Sequence, residues 1–130
     1  MIGYERFIAD FRVLGYEVEG PLDSGQYKWA IINAFPIVGG RFACNTVRVA
    51  IPVPGDYPTT PPGGLYVSPC IVPGEQMQRL NVHDRQNETA QLPGQWQYWS
   101  RPIPQGTWPG PHAAKRLVAH WNAVFTNVAA

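Results

Sequence analysis

The apolar positions along the chain change their period three times. Tyr4, Phe7, Ile8, Phe11 and Leu14 recur at helical spacing, with Glu5, Arg6, Asp10 and Arg12 on the opposite face. This predicts an amphipathic helix over 4–14, ended by Gly15 as a left-handed cap. Tyr16 to Glu19 then alternates apolar and acidic residues, which predicts a short strand, and Pro21 to Gly25 has turn chemistry. Tyr27, Trp29, Ile31 and Asn33 alternate with Lys28, Ala30 and Ile32, giving a second strand. In a third, Val47, Val49, Ile51 and Val53 share one face and Thr46, Arg48 and Ala50 the other. Leu65 to Val67 predicts a fourth. At the far end Ala114, Leu117, Val118, Trp121, Val124, Phe125 and Val128 repeat at i, i+3, i+4 spacing, with Pro111 placed where a first helical turn tolerates proline.

Between Ser68 and Pro111 no period is visible. A loop of that length inside a domain signals either function or an irregular element. Its second half, Gln95 to Pro111, reads QWQYWSRPIPQGTWPGP and holds three of the five tryptophans, a tyrosine and four prolines. The prolines remove backbone donors and fix φ, so neither a regular helix nor a central strand is expected there. The rings are costly to leave in water. The expected result is an irregular segment pinned to the core by its aromatic side chains, with the polar Ser100–Arg101 pair held between them. The element order predicts an α+β domain, residues 1–130, with two helices against a four-stranded antiparallel meander.

Composition narrows the function classes. The chain has 130 residues, a net charge of +1 and no basic run, so no nucleic acid or anionic membrane surface is expected as partner. No apolar run nears the ~20 residues of a membrane span, and the start MIGYERFIADF does not read as a secretory leader. Two cysteines, Cys44 and Cys70, suit a reducing compartment, so a soluble cytoplasmic protein is expected. His83, His112, His120 and the cysteines lack ligand spacing, so neither a metal nor a cofactor is expected.

At Val49 to Pro62, VAIPVPGDYPTTPP resembles the ubiquitin-conjugating (E2) fold, in which the third strand runs into a Tyr-Pro-x-x-Pro-Pro loop; here that is Tyr57 to Pro62. The closer resemblance is to the bacterial E2-like proteins of prokaryotic E2 family E. It is carried by Val67-Ser68-Pro69, by Trp96-Gln97-Tyr98-Trp99-Ser100-Arg101 and by Trp108-Pro109-Gly110. The resemblance implies an E2-like carrier that accepts the C-terminus of a ubiquitin-like modifier from an E1-like activating enzyme and passes it to a target. The His-Pro-Asn tripeptide of ordinary E2 proteins is missing. The resemblance implies a tryptophan about eight residues past the nucleophile; if Trp108 takes that place, the nucleophile position is Ser100, and neither cysteine falls there. A serine would hold the modifier as an oxyester where a cysteine holds a thioester.

Serine needs a base to take its proton. His83 or Asp84 fills that role if the long loop folds back, Arg101 is placed to hold an oxyanion or depress a neighbour's pKa, and Asn81 or Asn87 stands in for the asparagine amide of ordinary E2 proteins. The competing reading of Ser100 is a loop hydroxyl bonded to backbone. Cys70 is the second candidate nucleophile, against a reading as a small buried hydrophobe; Cys44 reads as packing. Two further functions stay open: a non-catalytic E2-like binding domain, and a peptide- or glycan-binding module using the aromatic segment.

Overall fold

In a computed structural model of the protein, described over residues 2–24, 27–40, 42–43, 45–103, 108 and 112–127, the helical stripe near the N-terminus forms α1 (Gly3–Val13). Its buried face presents Phe7, Ile8 and Phe11. Gly15 takes φ +95°, and the amides of Gly15 and Tyr16 donate to the carbonyls of Arg12 and Phe11 at 3.0 and 3.1 Å. The left-handed glycine thus closes the helix and turns the chain toward the sheet.

Four strands follow: β1 (Val18–Ser24), β2 (Tyr27–Pro36), β3 (Thr46–Pro52) and β4 (Leu65–Ser68). The turn expected over Pro21–Gly25 is replaced by strand as far as Ser24, and Gly25 lies outside the described residues. The register between β1 and β2 shifts between Glu19 and Leu22, so Gly20 (φ +137°) and Pro21 occupy a bulge. A bulge tolerates a residue without an N–H and bends the strand without ending it.

The region without periodicity holds regular structure: a 3-10 turn (Gly74–Gln76), α2 (Met77–Leu80), β5 (Val82–Asp84), α3 (Gln86–Thr89) and β6 (Gln97–Trp99). The sheet therefore has six strands, in the order β1-β2-β3-β4-β6-β5, with every pairing antiparallel. Two expectations are corrected here. The sheet is larger than a four-stranded meander, and Gln97–Trp99 is an interior strand between β4 and β5. The prolines that argued against a strand begin at Pro102, beyond its end, so the three residues of β6 keep their donors.

The C-terminal stripe forms α4 (Ala113–Asn127), burying Ala113, Ala114, Leu117, Trp121, Val124 and Phe125. Pro111 and Val128 lie outside the described residues, as does Cys44. Helices α1 and α4 cover one face of the sheet: Phe11 stacks on Trp121 with ring centroids 5.6 Å apart, and Phe35 of β2 meets the edge of the same indole at 5.8 Å. The other face has its own smaller core of Trp29, Ile31, Ala50, Tyr66, Leu92 and Trp96. The alternation along β2 sends Ala30 and Ile32 to the helices and Trp29 and Ile31 to this second core. The segment after α3 folds back over this face and supplies Leu92 and Trp96 to it, while Thr46 and Arg48 on the same side of β3 stay exposed.

Candidate active site

The segment carrying Ser100 is held at both ends by its tryptophans. Trp99 is fully buried, edge-on to Phe125 (5.0 Å) and Phe42 (5.9 Å). Trp96 lies in the core on the opposite face, with the Arg48 guanidinium 5.1 Å over its ring. Trp108 is half-buried and donates from Nε1 to the Pro58 carbonyl at 2.7 Å. None of the five tryptophans is exposed. The rings are anchors, and they do not form the exposed platform that a glycan or proline-rich ligand requires.

Ser100 is half-buried at the end of β6. The β5–β6 register pairs Val82 with Trp99 and His83 with Tyr98, so Asn81 lies opposite Ser100, and the Ser100 amide donates to the Asn81 carbonyl at 3.4 Å. Asn81 ends α2 in the left-handed region, φ 55°, a conformation that asparagine accepts more readily than most residues. Its side-chain Oδ1 is 2.9 Å from His83 Nε2, and both residues are exposed. The fold thus brings Ser100, Asn81 and His83 to one end of the β5–β6 pair. With His83 Nε2–H donating to the amide oxygen, Nδ1 keeps its lone pair and the Asn81 NH₂ is left to donate elsewhere.

Arg101 is half-buried and points its guanidinium at backbone: Nη1 donates to the Ser100 carbonyl at 3.1 Å and Nη2 to the Leu80 carbonyl. Its own amide donates to the Trp99 carbonyl at 2.8 Å, and its carbonyl accepts from His120 Nε2 of α4 at 2.7 Å. The sequence marked His120 only as a histidine without metal-ligand spacing, and its contact with Arg101 comes from the fold.

The other candidates lie elsewhere. Asn87 is buried and donates from Nδ2 to the carbonyls of Leu92 and Gly94 at 2.8 and 2.9 Å, so it shapes the loop behind the sheet. Asp84 pairs with Gln97, at the far end of β5 from Ser100. Cys70 sits at that same far end, exposed, in a polar groove of about 340 Å³ shared with Asp84, Glu88 and Trp96. Partial burial of its sulfur, and then the Asp84 carboxylate, push the thiol above its ordinary pKa, which lowers the fraction present as nucleophilic thiolate. Gln97 to Ser100 spans roughly 10 Å of extended chain. Ser100 and Cys70 therefore lie toward opposite ends of the β5–β6 pair.

Gln97 is the buried polar residue that the sequence did not mark. Its amide accepts from the Val72 N–H at 3.0 Å and donates to the Val72 carbonyl at 2.8 Å. The side chain so continues the pairing of β6 after β4 has ended, and it fixes the loop that carries Cys70. Among the described residues no cluster of histidine, cysteine and carboxylates could hold a metal ion, and no helix is long and apolar enough to cross a membrane.

A match to the model of prokaryotic E2 family E extends over residues 7–123, from α1 to within α4. The chain belongs to that family. An E2-like role in a conjugation pathway follows at that level, with a modifier and an activating enzyme as the general kinds of partner. The matched region includes the proline loop, all six strands and the Asn81–Ser100 pair. Comparison with curated proteins and with solved structures gave no match.

Proposed function

We propose that this protein is an E2-like carrier of a bacterial ubiquitin-like modifier, with Ser100 as the acceptor of the modifier's C-terminal acyl group. The observation that carries the reading is the strand register that sets Asn81 opposite Ser100 while His83 holds the asparagine side chain. Further support for a ubiquitin-conjugating architecture comes from four consecutive antiparallel strands, with the proline loop between the third and the fourth, and from the closing helix.

In the proposed step the Ser100 hydroxyl attacks the carbonyl of a modifier held as a thioester on an E1-like enzyme. The Oγ–C bond forms, the C–S bond breaks and the E1 sulfur departs as thiolate. The hydroxyl proton passes to the free Nδ1 of His83, directly or through one water. The Asn81 NH₂ donates to the oxygen of the tetrahedral intermediate, where charge develops. Attack of a target amine or hydroxyl on the oxyester then regenerates the serine.

The test is incubation with the partner modifier, its activating enzyme and ATP, followed by intact-mass spectrometry. The expected product is an adduct that survives thiol, is cleaved by hydroxide and disappears in Ser100→Ala. A thiol-sensitive adduct lost in Cys70→Ala transfers the role to Cys70. Absence of any adduct, with the activating enzyme shown to be charged, removes the carrier function and leaves an E2-like binding domain.

A further inference from the structure

The main chain around Ser100 is bonded on every side while the hydroxyl forms no hydrogen bond among the described residues. The Ser100 amide is held by Asn81 and its carbonyl by Arg101 Nη1. The Arg101 amide closes a three-residue turn onto Trp99, and the Arg101 carbonyl is held by His120 Nε2 at 2.7 Å. Arg101 Nη2 also reaches the Leu80 carbonyl, at the end of α2 that leads into Asn81.

We infer that His120 is a positioning residue of the Ser100 site, acting through Arg101; this rests on Ser100 being the acceptor. His120 gives α4 a hydrogen bond to the peptide that follows Ser100, just beyond the packing of Trp99 on Phe125 of the same helix. α2 and β5 comprise four and three residues, too few to hold a geometry by themselves. α4 runs for 15 residues with six of them buried, so its backbone is fixed by the main core. A hydrogen bond from α4 to the Arg101 carbonyl orients the peptide after Ser100. The Arg101 fork then ties Ser100 to the α2 terminus from which Asn81 projects. Arg101 serves here through its planar geometry, two N–H groups on two carbonyls, which lysine cannot reproduce. The clamp keeps the acceptor oxygen and its proposed oxyanion donor in one register, the preorganisation that group transfer requires.

A ring nitrogen facing a carbonyl oxygen must carry hydrogen, so His120 presents Nε2–H to Arg101. Glutamine places an amide N–H at similar reach and leucine places none. The experiment compares the full-length protein with His120→Leu and His120→Gln. Amide hydrogen exchange at Arg101 and its neighbours should rise on the order of tenfold in His120→Leu, the ratio that one such hydrogen bond supports. It should stay unchanged in β2 and β3 and return to the wild-type level in His120→Gln. In the adduct assay the leucine variant should lose rate at saturating charged E1 without a change in the half-saturating concentration, with recovery in the glutamine variant. If His120→Leu does not fold, His120→Asn, whose amide is too short to reach, takes its place. Unchanged exchange at Arg101, a uniform rise across the whole sheet, or failure of glutamine to restore it overturns the inference. Should the wild type form no adduct, the acceptor role of Ser100 fails, and the exchange measurement still decides whether the clamp exists.

Discussion

Trp108 Nε1 donates to the carbonyl oxygen of Pro58 at 2.7 Å, and its ring lies 6.4 Å from that of Tyr57. The end of the Ser100-bearing segment is therefore tied to the proline loop, 50 residues earlier in the chain. Trp108→Phe keeps a ring but loses the donor. It should destabilise the fold by about 1 kcal/mol, the net value of one hydrogen bond, read as a lower urea midpoint with an unchanged slope. An unaltered midpoint would show that the bond is not formed in solution.

Cys70 should be a slow thiol. Its pKa is raised by partial burial and then by the Asp84 carboxylate, so less thiolate is present near neutrality than for an ordinary cysteine. Alkylation by iodoacetamide at pH 7.5 should therefore be slower than for a free thiol. Asp84→Asn removes the negative charge and should accelerate it, by less than the full difference because burial remains. A slower reaction in Asp84→Asn would contradict the assigned cause.

Gln97→Leu deletes both hydrogen bonds to Val72 and leaves a buried N–H and C=O without partners. The expected loss is about 1–3 kcal/mol, visible as a lower midpoint in thermal or urea unfolding. Because the same loop carries Cys70, its alkylation should quicken in this variant as well. Stability within about 0.5 kcal/mol of wild type would mean that the loop finds other partners.

Tyr57 is fully buried and its hydroxyl donates to Asp10 Oδ2 at 3.3 Å. Burial first, then the Asp10 charge and hydrogen bond, hold its pKa well above the ordinary 10.0, against a smaller opposing effect of Arg6. The folded state therefore favours the protonated phenol. Its contribution is whole below pH 10 and is lost as pH rises beyond that value, because only the unfolded chain then ionises freely. Tyr57→Phe should cost about 1 kcal/mol or less at pH 7, given the long bond, and should flatten the fall in stability above pH 10. Some slope should remain, since Tyr4, Tyr16 and Tyr66 are raised too. Parallel curves for variant and wild type would show that Tyr57 does not titrate with unfolding.

What the sequence determined by itself is the part built from local periods. The stripes of α1 and α4, the alternation of β2 and β3, the glycine stop at Gly15 and the proline loop around Tyr57 are each written within a dozen or so neighbouring residues. The QWQYWSRP stretch also announced its buried rings. Tertiary structure decided what those rings and polar groups face. β5 and β6 have three residues each, too few to show alternation, and β6 exists because Gln97–Trp99 pairs with β4 on one side and β5 on the other. The bulge at Gly20 and Pro21 turned an expected turn into strand because β2 was there to pair with. Ser100 meets Asn81 and parts from Cys70 for the same reason: Trp99 is sunk beside Phe125 and Phe42, and that single buried ring sets the register of the residues next to it. Pairing between segments distant in the chain depends on shared burial, and no local pattern records it.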